Sequence, residues 1–217
     1  MFLLLKLFLF GCNNAQNGNN FFVSEDDHQQ SVAKYILSDK ETKLLKNGDI
    51  ILRQGDGFVS NLILTSLNEN IPLSHIGIIT NRDNEYEVIH TVSSTLSDAD
   101  GMQVQSLNSF VRESIPGSVV IVRYIEADYD PARQNEIAEF AYNYLEQKVP
   151  FDHSFDYSDS TRFFCSELIW RVYKKVFDRD VIPINGNNNS VLDKYRFNHF
   201  FDSEYFITII NHQEKNQ

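Results

Sequence analysis

Three side chains in the 217-residue chain have the chemistry to make and break acyl bonds: Cys165, His75 and His90. A thiol attacks as its thiolate, and it needs a base within hydrogen-bond reach and a third group that orients the base. Two imidazoles and one thiol fill those three places. His75 and His90 fall in two β-rich runs, Ser74 to Thr80 and Glu85 to Thr91, separated by the turn-like Asn81-Arg82-Asp83-Asn84, and this pattern predicts a hairpin. With Arg82-Asp83, or all four of residues 81–84, as the loop, His75 stands directly opposite His90 on one sheet face. Gly77, on the same face, leaves room above the sheet, whereas Glu87, an odd number of residues from His90, points to the other. Cys165 comes near the start of a predicted helix, Phe164 to Phe177, on the side of Leu168, Ile169 and Val172. Helix amides there stabilise a thiolate, and a neighbouring imidazolium lowers the thiol pKa further. From position alone an inert buried cysteine fits equally well.

The elements that must hold these groups follow from periodicity and punctuation. Ser24 to Lys46 is helical in pattern, with Ser38-Asp39-Lys40-Glu41 in capping-box form, and Asn47-Gly48 ends it. Asp49 to Arg53 reads as a buried strand, with Asp49 a turn residue or a substrate contact, and Gly55-Asp56-Gly57 opens a short helix through Leu67. After the hairpin, Pro116-Gly117 turns into a strand from Ser118 to Tyr124. Asp130-Pro131 caps and starts a helix ending near Gln147, NGNNNS at 185–190 is a loop, and Tyr205 to Ile210 is a last strand. Strands and helices segregate in this way into an α+β fold with an antiparallel sheet or partial barrel packed against helices.

The length suits one domain with a short appendage, since domains run to roughly 150 residues. A hydrophobic content of 42% with 17 Phe and 10 Tyr is enough for a core. The formal net charge of −11 excludes a broad phosphate-neutralising surface, so no nucleic-acid partner is expected. Two cysteines, Cys12 and Cys165, are too few for a disulfide framework or a cysteine-rich zinc site. A zinc site from His75, His90, Cys165 and Asp152 is the competing reading. It lacks a close ligand pair, so no metal or cofactor is expected.

Met1 to Phe10, MFLLLKLFLF, is apolar apart from Lys6 and too short to span a bilayer, which takes about 20 residues; it predicts an export signal over residues 1–11. Leu9-Phe10-Gly11-Cys12 resembles the bacterial lipobox. That resemblance implies a lipidated Cys12, a polar tether over 12–23, a domain over 24–211, a polar tail over 212–217, and a membrane-anchored place in the bacterial cell envelope.

The order Gly48-Asp49-Ile50-Ile51-Leu52-Arg53, then Ser74-His75-Ile76-Gly77-Ile78-Ile79, then Phe163-Phe164-Cys165-Ser166-Glu167-Leu168 resembles the circularly permuted, YiiX/YebB-like branch of the NlpC superfamily of papain-like cysteine hydrolases. The similarity covers about residues 45 to 180, and His preceding Cys is what permutation requires. It implies that Cys165 is the nucleophile, His75 its base and His90 the third polar group. A second His at that position is also the pattern of the lecithin retinol acyltransferase group. Pro150-Phe151-Asp152 and Phe155 resemble the family's aromatic-Asp segment, with Phe151 in place of its usual Tyr. Implied substrates are peptide amides of the cell wall or lipid-linked acyl groups, with Asp49, Ser74, Ser166 and Asp152 as candidate substrate contacts and the Cys165 amide as one oxyanion donor. The alternatives are an acyltransferase or acyl hydrolase of the lecithin retinol acyltransferase type and a non-catalytic envelope-binding lipoprotein.

Overall fold

Ile50, Ile51 and Leu52 are apolar on both faces of their strand, and in the computed structural model, which describes residues 35–55, 71–94, 99–182 and 195–214, all three are fully buried. The reason is their place in the middle of a sheet, where both faces are covered. β1 (Ile50–Arg53) pairs antiparallel with β2 (His75–Arg82) on one side and with β5 (Val120–Tyr124) on the other. With β3 (Glu85–Val92), β4 (Gly101–Ser106) and β6 (Phe206–Asn211) they form a six-stranded antiparallel sheet in the order β4-β3-β2-β1-β5-β6. The α+β class read from the sequence is the class observed.

Alternation along these strands sorts two cores. Ile50, Leu52, Ile76, Ile78 and Ile89 meet two long helices, α4 (Pro131–Glu146) and α5 (Cys165–Phe177), through Ile137, Ala141, Leu168 and Val172. Ile51, Ile79, Val88 and Ile121 pack on the other face against α2 (Leu107–Arg112), with Leu37 and Leu45 from around α1 (Asp39–Thr42). A short α3 (Ile125–Asp128) links β5 to α4, and a 3-10 turn (Phe197–Phe201) precedes β6.

Local signals hold at the helix starts. Ser38 and Glu41 form the capping box of α1, and the Asp130 carboxylate accepts from the amides of Ala132 and Arg133 with Pro131 at the first helical position. The strand β4 and the helix α2 have no counterpart in the sequence reading; Met102 and Val104 alternate with Gln103 and Gln105 along β4, but only Met102 is buried and Val104 is exposed. The expected tail begins too early. His212 is buried, its Nδ1 2.8 Å from the Tyr35 hydroxyl and its Nε2 2.9 Å from Glu41, so it joins the last strand to the chain before and within α1. Cys12, the tether, the helical pattern before Tyr35, the helix expected through Leu67 and the loop 185–190 lie outside the described residues.

Candidate active site

The two histidines meet, in a register different from the expected one. The loop of the β2–β3 hairpin is the two-residue Asp83-Asn84, both at positive φ (55° and 66°), so Arg82 pairs with Glu85 and Ile78 with Ile89. Two left-handed residues match the twist of the strands, and Asp and Asn tolerate that conformation. His75 and His90 are therefore diagonal neighbours. The register differs from expectation by two residues, and a slip of two preserves the face, since side chains alternate with period 2. His75 Nε2 lies 2.8 Å from His90 Nδ1. Gly77 makes the approach possible: a Cβ there would stand 2.5 Å from Val88 Cγ1 and 3.2 Å from His90 Cβ. Glu87 is committed on the opposite face, where it accepts from the Tyr142 hydroxyl of α4 at 2.7 Å.

Both rings sit against Phe110 of α2, which stacks on His75 (centroids 5.6 Å apart) and meets His90 at 5.3 Å with the planes nearly perpendicular. Burial, then His90, then the Arg53 guanidinium hold His75 well below the ordinary imidazole range. Burial and then Arg53 hold His90 at about 3. The pair is neutral at pH 7. His75 Nδ1 makes no hydrogen bond among the described residues, and His90 Nε2 is buried without a partner there.

Cys165 is the first residue of α5, half-buried against the core that α4 and α5 share. Burial pushes its thiol up to about 11, outweighing the lowering pull of the Ser166 and Cys165 amides. This corrects the expectation of an acidified thiol: the helix end is present, but desolvation wins, and the imidazole pair lies on the opposite face of the sheet, against Phe110. Among the described residues the thiol is hydrogen-bonded to neither ring.

The other candidates for substrate contact turn inward. Asp49 is fully buried and grips Arg123 through Oδ1 (2.6 Å, Nε) and Oδ2 (2.9 Å, Nη2), while also accepting from the Lys46 amide. Ser74 is buried and its hydroxyl accepts from the Gly55 amide at 3.0 Å. Ser166 is buried against the Tyr157 phenol. Asp152 is fully buried and accepts from the amides of Ser154 (2.8 Å) and Asp156 (2.6 Å), folding the loop that leads to α5. Asp49, Ser74 and Asp152 satisfy buried backbone or a buried charge, and Ser166 a buried phenol.

A family model for "Permuted papain-like amidase enzyme, YaeF/YiiX, C92 family" matches residues 44–198. The chain belongs to this family. It is a family of cysteine hydrolases, and the matched span runs from the strand before the hairpin past the cysteine helix. The uncharacterized protein YiiX of Escherichia coli (strain K12) is 29% identical over 129 residues, which are 59% of this chain and 57% of that protein, so the chain spans little more than half of the relative. The crystal structure of metalloprotein YiiX from Escherichia coli O157:H7 shares the fold, with a TM-score of 0.58 and 21% identity over 76% of this chain and 97% of that one.

Around the histidine pair and around α5, sequence reasoning gave no role to four side chains that the structure uses. Arg53 and Phe110 surround the imidazole pair. Glu167, fully buried in the first turn of α5, pairs with Arg171 at 2.6 Å, and Arg171 also donates to the carbonyls of Tyr157 (3.0 Å) and Asp159 (2.9 Å), fastening the preceding loop to the helix. Burial pushes the Glu167 carboxyl up to about 7 despite Arg171. The i,i+4 spacing of Glu167 and Arg171 was visible in the sequence; the burial that makes it costly was not.

Proposed function

We propose that the protein hydrolyses an amide or ester through a thioester on Cys165, with His75 as the base and His90 as the group that orients it. The observation that carries this reading is the 2.8 Å bond between His75 Nε2 and His90 Nδ1, a base already oriented by a second ring, with His75 Nδ1 unbonded among the described residues. His75 then holds its proton on Nε2 and donates to His90. Because thiol and imidazole are both neutral in the free protein, proton transfer accompanies attack rather than preceding it. The Cys165 proton passes to His75 Nδ1 as sulfur bonds to the carbonyl carbon, and the oxyanion faces the Cys165 amide at the helix start. Collapse breaks the carbon–nitrogen or carbon–oxygen bond, the leaving group takes the proton from His75, and water repeats the cycle on the thioester. Cys165 packs in the core on the sheet face opposite the one that carries His75 and His90, so this reading requires substrate to bring α5 and the rings into a different arrangement.

The Escherichia coli O157:H7 relative is described as a metalloprotein, but the donors of this chain do not fit a metal site. His75 and His90 spend facing nitrogens on each other, and no three Cys, His, Asp or Glu side chains gather as ligands among the described residues.

The same proposal places the domain in the bacterial cell envelope as a lipoprotein, cleaved ahead of Cys12 and anchored by lipid on it, with cell-wall peptides or lipid-linked acyl groups as substrates. The test is to incubate the protein with a mixed pool of muropeptides and acyl lipids and read intact mass. A thioester adduct on Cys165, absent in Cys165→Ser and slowed about a hundredfold or more in His75→Ala, is the expected result, and its mass names the substrate class. No adduct from any pool makes this a binding protein.

A further inference from the structure

Arg53 ends β1 opposite His75, with the two Cα positions paired across the strands. Its guanidinium lies 4.1 Å above the centre of the Phe110 ring, the ring on which both imidazoles pack, and donates to the Phe110 carbonyl at 2.6 Å. The only carboxylate bonded to it among the described residues, Glu113, stands at 3.3 Å with half of its side chain in solvent, whereas the Arg53 side chain is 10% exposed. The Arg53 charge is thus held on the buried side and its counter-charge on the wet side, where water weakens it. The groups around the pair are few. β1 supplies Arg53, the end of α2 supplies Glu113 and β4 supplies the neutral Gln103 and Gln105, while α5 and its Cys165 thiol pack on the opposite face of β2 and β3. No carboxylate is bonded to either ring among the described residues.

We propose that Arg53 is a positioning residue for the imidazole pair: its cation, fixed over Phe110 beside both rings, disfavours imidazolium and keeps His75 in the neutral form that a base requires. This rests on the reading of His75 as the base. The direction follows from charge alone, since a cation near an imidazole raises the energy of the protonated ring. Burial and Arg53 act in the same sense on both rings.

The test is an imidazole titration by carbon-13 NMR on the full chain from about pH 4.5 to 8, with the two rings assigned through His75→Gln and His90→Gln. In the wild type neither ring should titrate in that range. Arg53→Met should raise the titration of at least one ring by roughly one unit or more, and Arg53→Lys, which restores the charge without the guanidinium fork, should return it. The acid limb of Cys165 acylation by 4-nitrophenyl acetate should move to higher pH in Arg53→Met and not in Arg53→Lys. A wild-type ring that titrates near 6.5 overturns the proposal without any variant, and so does an Arg53→Met protein whose rings behave as in the wild type. Rings that respond to Arg53 in a protein that forms no acyl adduct would remove the catalytic reading and leave the electrostatic one. An adduct-forming protein whose rings ignore Arg53 would do the reverse.

Discussion

At the scale of single residues, the protonation of the site is decided by burial. Cys165 has a helix start beneath it, a place that acidifies thiols, yet its thiol is pushed up to about 11. At pH 7 only about one thiol in ten thousand is then ionised. Alkylation of Cys165 by iodoacetamide is therefore expected to be slow at pH 7 and to climb about tenfold per pH unit up to about pH 10. A rate that levels off below pH 8 would reveal a preformed thiolate and with it a charged imidazole partner. The same desolvation acts on the rings with the opposite consequence, since for a base it favours the neutral, proton-accepting form. With thiol and rings both neutral, the thioester route proposed above has its nucleophile ionised only as the bond forms.

At the scale of elements, the β2–β3 hairpin and the start of α5 are built with little slack. Gly77→Ala would drive a methyl group to within 2.5 Å of Val88 Cγ1 and 3.1 Å of the Ile89 carbonyl. Strands cannot part without breaking the ladder, so the variant should lose about 1–3 kcal/mol in urea unfolding and disturb the His75–His90 bond, seen as altered imidazole resonances. An unchanged midpoint would mean the hairpin relaxes freely. In α5, Glu167 titrates near 7 when folded against 4.5 for an ordinary Glu. Between those values the folded chain keeps a proton that the unfolded chain releases, so stability is full below about 4.5 and falls as pH rises through 7. Relative to Glu167→Gln, the wild type should lose up to about 3 kcal/mol between pH 5 and pH 8, measured by urea unfolding at each pH. A wild type that instead gains on the variant would show that the Arg171 pair outweighs burial.

At the scale of the whole molecule, the buried Asp49–Arg123 pair joins the turn before β1 to β5, and Asp128 extends it to α3 by accepting from Arg123 at 2.8 Å and from Lys46 at 3.0 Å. Asp49 belongs to the motif that carries the family resemblance, and its position there serves folding rather than recognition. Arg123→Met strands a carboxylate with no exposure and is expected to cost about 3–5 kcal/mol, whereas the double variant Asp49→Leu with Arg123→Met should recover much of that loss. Thermal unfolding of the three variants checks it; a double variant no more stable than Arg123→Met would mean the pair does more than neutralise itself. In a functional assay Asp49→Asn should lower stability and leave substrate affinity alone.

The amino-acid order by itself determined what is periodic or local: which runs other than β4 become strands, that α1 and α4 are capped by Ser38 and Asp130, that His75 and His90 share a sheet face, and that Cys165 opens a core helix. Those features survive a two-residue slip in register because side-chain alternation repeats every two residues. Tertiary structure alone decided the turn at Asp83-Asn84, the arrival of Phe110 from an unforeseen helix, and the inward commitment of Asp49, Ser74, Ser166 and Asp152. It also decided the charge states of the thiol and the rings. Burial and the field of a cation such as Arg53 come from residues far apart in the chain, and a protonation equilibrium responds to all of them at once.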